Sequence, residues 1–198
     1  MAKPNNILQT ERQLSKIGDA VGVDKKKWFV AIVNNNTELS SARKLENLGF
    51  ETFVPLQEII SDFNGKRRKR KKVVISMLLF VHVSEQERKQ IVNLPFVKRF
   101  MTNVSGQKDS FGKHPIATIP DEQMEQLIKL LQHSESEVFI ESLPKSIGEE
   151  VTICGGPLNG LTGHVVQMSQ QKQCFIIQIS CLGCAKIHIT HDMTMNKK

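Results

Sequence analysis

Two groups of residues have the types and spacing to do chemistry. The first is Cys181-x-x-Cys184, the spacing of one half of a zinc site. A structural zinc takes four ligands, usually as two close pairs, and Cys154 and Cys174 form no second pair. The motif brackets Gly183 at an expected hairpin turn, so the thiols read as free residues of a small barrel, with no metal and no other cofactor. Six histidines are scattered, and no Ser/His/Asp, Cys/His or paired-carboxylate constellation falls on matched elements, so no enzyme is expected. The second group is Lys66-Arg67-Arg68-Lys69-Arg70-Lys71-Lys72. The chain carries 27 basic and 20 acidic residues, a net charge of +7, and without this heptapeptide the two signs balance. The basicity is therefore one local feature. Its functional reading is a polyanionic partner; its plain reading is a solubilising loop.

The elements that position these groups follow from pattern. At 198 residues and 39% apolar content there is room for one ordinary domain or two small ones. No N-terminal apolar run precedes a cleavage site, so no signal peptide and no disulfide are expected. The longest apolar stretch, Val73 to Val83, is too short for the roughly 20 residues that span a bilayer. The expectation is a soluble, cytoplasmic monomer.

Residues 1–25 read as a mobile leader. Trp28 to Val33 has the length and β-branching of a buried strand. Leu39, Ala42, Leu45 and Leu48 then recur at helical spacing, with Gly49 at the left-handed position that ends a helix. Phe50 to Pro55 is a second strand. Ile59, Ile60 and Phe63 lead into Asn64-Gly65, a strong signal for a tight hairpin, which places the seven cations on the returning arm of a ribbon. Val73 to Val83 should be the central strand. Ser84 and Glu87 have the spacing of a capping box, opening a helix that must stop before Pro95. Val97 to Met101 is a fourth strand, and Pro120-Asp121-Glu122 opens a helix with Met124, Leu127, Ile128 and Leu131 as its buried stripe. Residues 26–133 thus read as an α+β domain, an antiparallel sheet with helices packed against it. Residues 134–146 read as a linker with some local structure.

Beyond the linker the chain turns β. Gly155-Gly156-Pro157-Leu158-Asn159-Gly160-Leu161-Thr162-Gly163 packs four glycines and a proline into a specified turn. Strands at Val151–Ile153, His164–Gln167, Phe175–Ile179 and Ile187–Ile189 surround it, which predicts a small all-β, closed or nearly closed barrel over 147–191 and a tail over 192–198.

The run Gly156-Pro157-Leu158-x-Gly160-Leu161-x-Gly163-x-Val165 resembles the KOW motif of the NusG family and of several ribosomal proteins. By itself that motif implies an SH3-like barrel that meets nucleic acid or ribonucleoprotein, without choosing between them. Lys27-Trp28-Phe29-Val30, Pro55, the basic hairpin, Phe80-Val81 and Leu94-Pro95-Phe96-Val97 extend the resemblance to the N-terminal (NGN) domain of the NusG family. Leu182-Gly183-Cys184-Ala185 further resembles the UpxY-like paralogues, antiterminators of surface-polysaccharide operons. The resemblance implies that the N-terminal domain docks on the clamp helices of the RNA polymerase largest subunit and promotes processive transcription. Trp28, Ile32, Ile75, Leu78 and Phe80 are the implied docking residues. The heptapeptide, with Arg43 and Lys44, is the candidate contact to non-template DNA or nascent RNA. Gly156, Pro157, Gly160 and Gly163 carry the KOW motif, whose barrel recruits a ribosomal or other factor. Where the family usually shows Pro-Gly-Tyr, this chain has Ser76-Met77-Leu78 and it contains no tyrosine, so its depression is expected to be aliphatic. The alternative is a KOW-containing RNA- or ribosome-binding protein. No membrane association is implied.

Overall fold

The computed structural model describes residues 25–63, 66–167, 173–190 and 193–197. The leader, but for residue 25, and the Asn64-Gly65 turn lie outside them. Strand β1 (Lys27–Val33) is buried on both faces, as its unbroken apolar run requires. It pairs antiparallel with β5 (Leu78–Val83) along one edge. Its other edge is shared by β6 (Val97–Phe100) and the two-residue β7 (Thr118–Ile119). Strand β2 (Glu51–Phe53) completes the sheet, in the order β2-β5-β1-β6.

Side chains of a strand alternate between faces, so this sheet has two cores. Phe29, Ala31, Val33, Leu79, Val81 and Val83 pack with Ala42 and Leu45 of helix α1 (Glu38–Asn47) and Ile91 of α2 (Glu85–Ile91). Trp28, Val30, Leu78 and Phe80 point the other way, against Met124, Leu127, Leu130 and Leu131 of α3 (Asp121–His133). The helix signals act locally as expected. Gly49 has φ +88, and Ser84 and Glu87 form both hydrogen bonds of a capping box.

The expected strand over 73–83 is broken. Strand β4 (Lys66–Val73) runs through the basic heptapeptide and pairs with β3 (Leu56–Phe63) as a separate two-stranded ribbon. A turn then intervenes, and β5 starts only at Leu78. Met77, at φ +67, makes this turn although it is not glycine. Its N–H donates to the Glu38 carboxylate at 2.6 Å and its carbonyl accepts from the Val33 N–H at 2.9 Å. Two partners distant in sequence thus hold a conformation that the apolar pattern alone does not signal.

The second unit is an all-β antiparallel sheet in the order β13-β9-β10-β11-β12-β8. Its four inner strands are β9 (Glu150–Cys154), β10 (Thr162–Gln167), β11 (Gln173–Ile179) and β12 (Gly183–His188). Two edge strands come from segments read as linker and tail. Phe139–Glu141 (β8) pairs with β12, and Thr194–Lys197 (β13) pairs with β9. Both are short and partly polar, so only the unsatisfied backbone of the neighbouring strand marks them as strands. Among the described residues, no helix is long and apolar enough to cross a membrane.

Candidate docking face and nucleic-acid ribbon

The five docking candidates all join one cluster on the α3 side of the first sheet. Pairing of Trp28 with His82, Val30 with Phe80 and Ile32 with Leu78 aligns them across β1 and β5. Trp28 is 8% exposed and stacks on the His82 ring at 4.8 Å with the planes 17° apart. That imidazole is bracketed by carboxylates, with Nδ1 2.7 Å from Glu51 Oε2 and Nε2 3.8 Å from Asp121 Oδ1. Phe80 is fully buried, tilted against Phe53 at 6.0 Å. Leu78 is also buried. Ile32, on β1, and Ile75, in the turn before β5, are the half-buried members.

Helix α3 covers this face because its apolar stripe repeats at helical spacing. The helix also touches the second unit: Gln123 Oε1 accepts from the Ser180 N–H at 2.8 Å, and Lys129 Nζ donates to the Asn159 carbonyl at 2.5 Å. The apolar cluster runs on through Val151, Ile153, Phe175 and Ile177 of the second sheet. The strand pattern marks the five residues as apolar; the structure adds that Trp28, Leu78 and Phe80 lie beneath other side chains. Periodicity identifies an apolar face without saying what covers it.

The ribbon is a second surface. Lys66 to Lys72 are all exposed on β4. Its base is fixed by Gln57, which is 2% exposed. The Gln57 amide donates to the Ser136 carbonyl and accepts from the Val138 N–H, each at 2.8 Å. Lys72 contacts the Glu137 carboxylate. A groove of about 980 Å³ lies beside the ribbon, lined by residues that include Leu56, Ile60, Lys69, His133 and Glu135. Arg43 and Lys44 are exposed on α1, which packs on the opposite face of the sheet from α3. Lys44 sits over the Phe96 ring at 5.0 Å. They are not brought onto the ribbon, which packs against α3.

The KOW-like turn closes by local bonds. The Gly155 N–H donates to Asn159 Oδ1 at 2.8 Å and the Gly160 N–H to the Ile153 carbonyl at 2.8 Å. Gly156 and Gly160 have φ of +66 and +82, beyond the usual range of L side chains. Pro157 sits between them and the buried Leu158 and Leu161, which anchor the turn in the core. Gly163 serves differently: a Cβ there would meet the Ile176 carbonyl oxygen at 2.3 Å and the Phe175 ring at 2.6 Å.

Cys184 is buried with Sγ 3.8 Å from the Ser142 carbonyl, and Cys174 lies 3.4 Å from His188 Nδ1. Burial pushes both thiols upward. Desolvation pushes the Cys181 thiol, on an exposed residue, up to about 11. A protonated thiol is neither a nucleophile nor a metal ligand. Among the described residues, no three His, Cys, Asp or Glu side chains gather as a metal site requires.

Residues 26–128, just over half of the chain, match the family model described as NusG, transcription termination factor nusG. Among solved structures, the chain is similar to Thermotoga maritima NusG, described under the heading of domain interaction. The identity is 18% and the TM-score 0.41, with 83% of this chain and 93% of that one covered. It is also similar to conformation A of the MjSpt4:Spt5 complex, at 12% identity and TM-score 0.26, over 86% of this chain and 99% of that chain. No curated protein matches the chain.

Proposed function

The chain belongs to the NusG family, a family of transcription factors, and from that premise we propose that it is an elongation and antitermination factor that binds RNA polymerase through the β1–β5 face. The observation that carries this reading is the gathering of Trp28, Ile32, Ile75, Leu78 and Phe80 into one apolar cluster. Buried Trp28, Leu78 and Phe80 form its floor, and half-buried Ile32 and Ile75 offer the part a partner touches. The partner surface is the clamp-helix pair of the polymerase largest subunit. The basic ribbon lies along nucleic-acid phosphates, either non-template DNA or nascent RNA, and supplies affinity without sequence choice. Arg43 and Lys44 add charge from a separate surface. The second unit, with Gly156, Pro157, Gly160 and Gly163 at its turn, recruits a ribosomal or other factor. Leu182-Gly183-Cys184-Ala185 supports a UpxY-like role on a surface-polysaccharide operon of a bacterium. The reading has no covalent step and needs no cofactor; its first domain is 26–133, and its second is the 147–191 unit together with the edge strands Phe139–Glu141 and Thr194–Lys197, in a cytoplasmic monomer.

Sequencing of nascent transcripts with and without the protein tests it. The expected result is longer transcription through one or a few operons, with the protein co-purifying with polymerase. Co-purification with ribosomal subunits and unchanged transcripts would replace this reading with that of an RNA- or ribosome-binding protein.

A further inference from the structure

A smaller cluster of positive charge lies at the other edge of the first sheet, offset in the total by acids elsewhere. The ribbon grows from the β2–β5 side, whereas β6 closes the opposite edge. Residues 97–117, which run from β6 through the loop to β7, hold four cations, Lys98, Arg99, Lys108 and Lys113, against one acid, Asp109. All four cations are exposed, and among the described residues none is ion-paired.

The loop is zipped along its length. Thr102 and Ile116 form a bridge, and the Asn103 N–H donates to the Pro115 carbonyl at 2.8 Å. His114 Nδ1 donates to the Gly106 carbonyl at 3.2 Å, and the Asp109 N–H to the Lys113 carbonyl at 2.9 Å. Asp109 Oδ1 accepts from the Phe111 N–H at 2.9 Å and from the Lys113 N–H at 2.8 Å. The loop's one carboxylate is thus engaged by its own backbone, and the tip Ser110-Phe111-Gly112 is held in place.

Phe111 is 84% exposed and Val104 74%, the two highest values among the exposed large apolar residues described, and both stand on this loop. A single exposed apolar side chain is ordinary; an aromatic ring held out on an ordered tip between two unpaired lysines is not. Protein-binding centres are poor in lysine and serine, yet Lys108, Ser110 and Lys113 flank this ring in the chain. A ring beside cations fits a base and its phosphates, since every base has a π-face and its backbone a negative charge. Within a duplex those faces are stacked on one another, so the ligand is a single strand.

We propose that the 102–116 loop is a stacking platform for single-stranded nucleic acid, on which Phe111 carries an unpaired base while Lys108 and Lys113 hold its phosphates. The ordered tip loses little freedom on binding. Lys98 and Arg99, on the strand that feeds the loop, add to the attraction of a polyanion. This goes beyond the reading of the ribbon and does not depend on it. The ligand chemistry is a nucleobase on a phosphodiester backbone, from DNA or RNA alike.

The test is fluorescence anisotropy of the full chain across a salt series. Its probes are single-stranded DNA, single-stranded RNA, duplex DNA, and an abasic single strand that keeps only sugars and phosphates. The variants are Phe111→Ala, Phe111→Trp and Lys108→Gln/Lys113→Gln, all at exposed positions, with circular dichroism to check the fold. Phe111→Ala should weaken single-strand binding about five- to 150-fold at every salt concentration without changing the salt slope. It should leave the duplex and abasic probes as in the parent, and the larger of its DNA and RNA losses identifies the strand preferred. Phe111→Trp should bind as tightly as the parent or more so. The lysine pair should flatten the slope of log K against log salt by about 1.4, two contacts at about 0.7 each. Parent-like single-strand binding by Phe111→Ala would overturn the platform, and loss of polymerase pull-down in that variant would assign the ring to a protein pocket instead. An equal loss on the abasic probe, or no single-strand binding by the parent, would overturn it too.

Discussion

Glu38 and Met77, 39 residues apart, are joined by a hydrogen bond of 2.6 Å from the Met77 N–H to a carboxylate that is 3% exposed. The bond holds Met77 at φ +67 and so sets where β5 begins and where Ile75 sits. Glu38→Ala leaves that part-buried N–H without its acceptor and should lower stability by about 1–3 kcal/mol. Met77→Gly, which takes the same φ without strain, should cost far less or stabilise. Urea denaturation of the two variants checks the order.

The docking reading makes a prediction that burial sharpens. Leu78 is 8% exposed, so Leu78→Glu would place a charge within the core and should unfold the protein rather than report on binding. Ile75→Ser and Ile32→Ser, at half-buried positions, should leave the fold intact and weaken polymerase binding about tenfold each, the effect of losing a contact residue of 1–2 kcal/mol. Pull-down with purified polymerase gives the answer. Undiminished binding by the folded double variant would remove this face from the interface.

Glycines of the KOW-like turn should separate by cause. Gly163→Ala forces a Cβ against the Ile176 carbonyl and the Phe175 ring, and should cost about 1–3 kcal/mol or more. Gly155→Ala meets nothing within 4 Å but must hold φ +82, a penalty of about 1–2 kcal/mol. Thermal unfolding of the two variants should therefore shift most for Gly163.

Much of this arrangement is legible in the sequence because its causes are local. Ser84 and Glu87 are three residues apart and cap the same helix turn; Gly49 ends its helix by its own φ. What escapes reading has distant causes. The break at Met77 depends on Glu38 and Val33, so an unbroken apolar run hides it. The edge strands Phe139–Glu141 and Thr194–Lys197 exist because β12 and β9 offer free edges. For the site, the alternation along β1 and β5 identifies the apolar face, but its cover by α3 comes from tertiary packing.

The thiols give a pH prediction with a definite sign. Cys174, Cys181 and Cys184 all lie above their ordinary value of 9.0. The folded chain keeps these protons after the unfolded chain has released them. Their contribution is whole below pH 9 and is lost as the pH rises through about 11 for Cys181. The denaturation midpoint should fall over that interval. Iodoacetamide should label the native protein much more slowly at neutral pH than the unfolded chain; equal rates would show that the thiols are not screened.

Gln57 ties the ribbon to residues 134–138, and those residues are the whole span between the end of α3 and the start of β8. Fully drawn out, that span reaches only about 17 Å. Two of its backbone groups are already held by Gln57 and its Glu137 by Lys72. The connection is a short, pinned leash, not a swivel. Tension applied at the tip of the ribbon is therefore passed through Gln57 to the first strand of the second sheet, and any wide swing of one half against the other begins with the loss of those bonds.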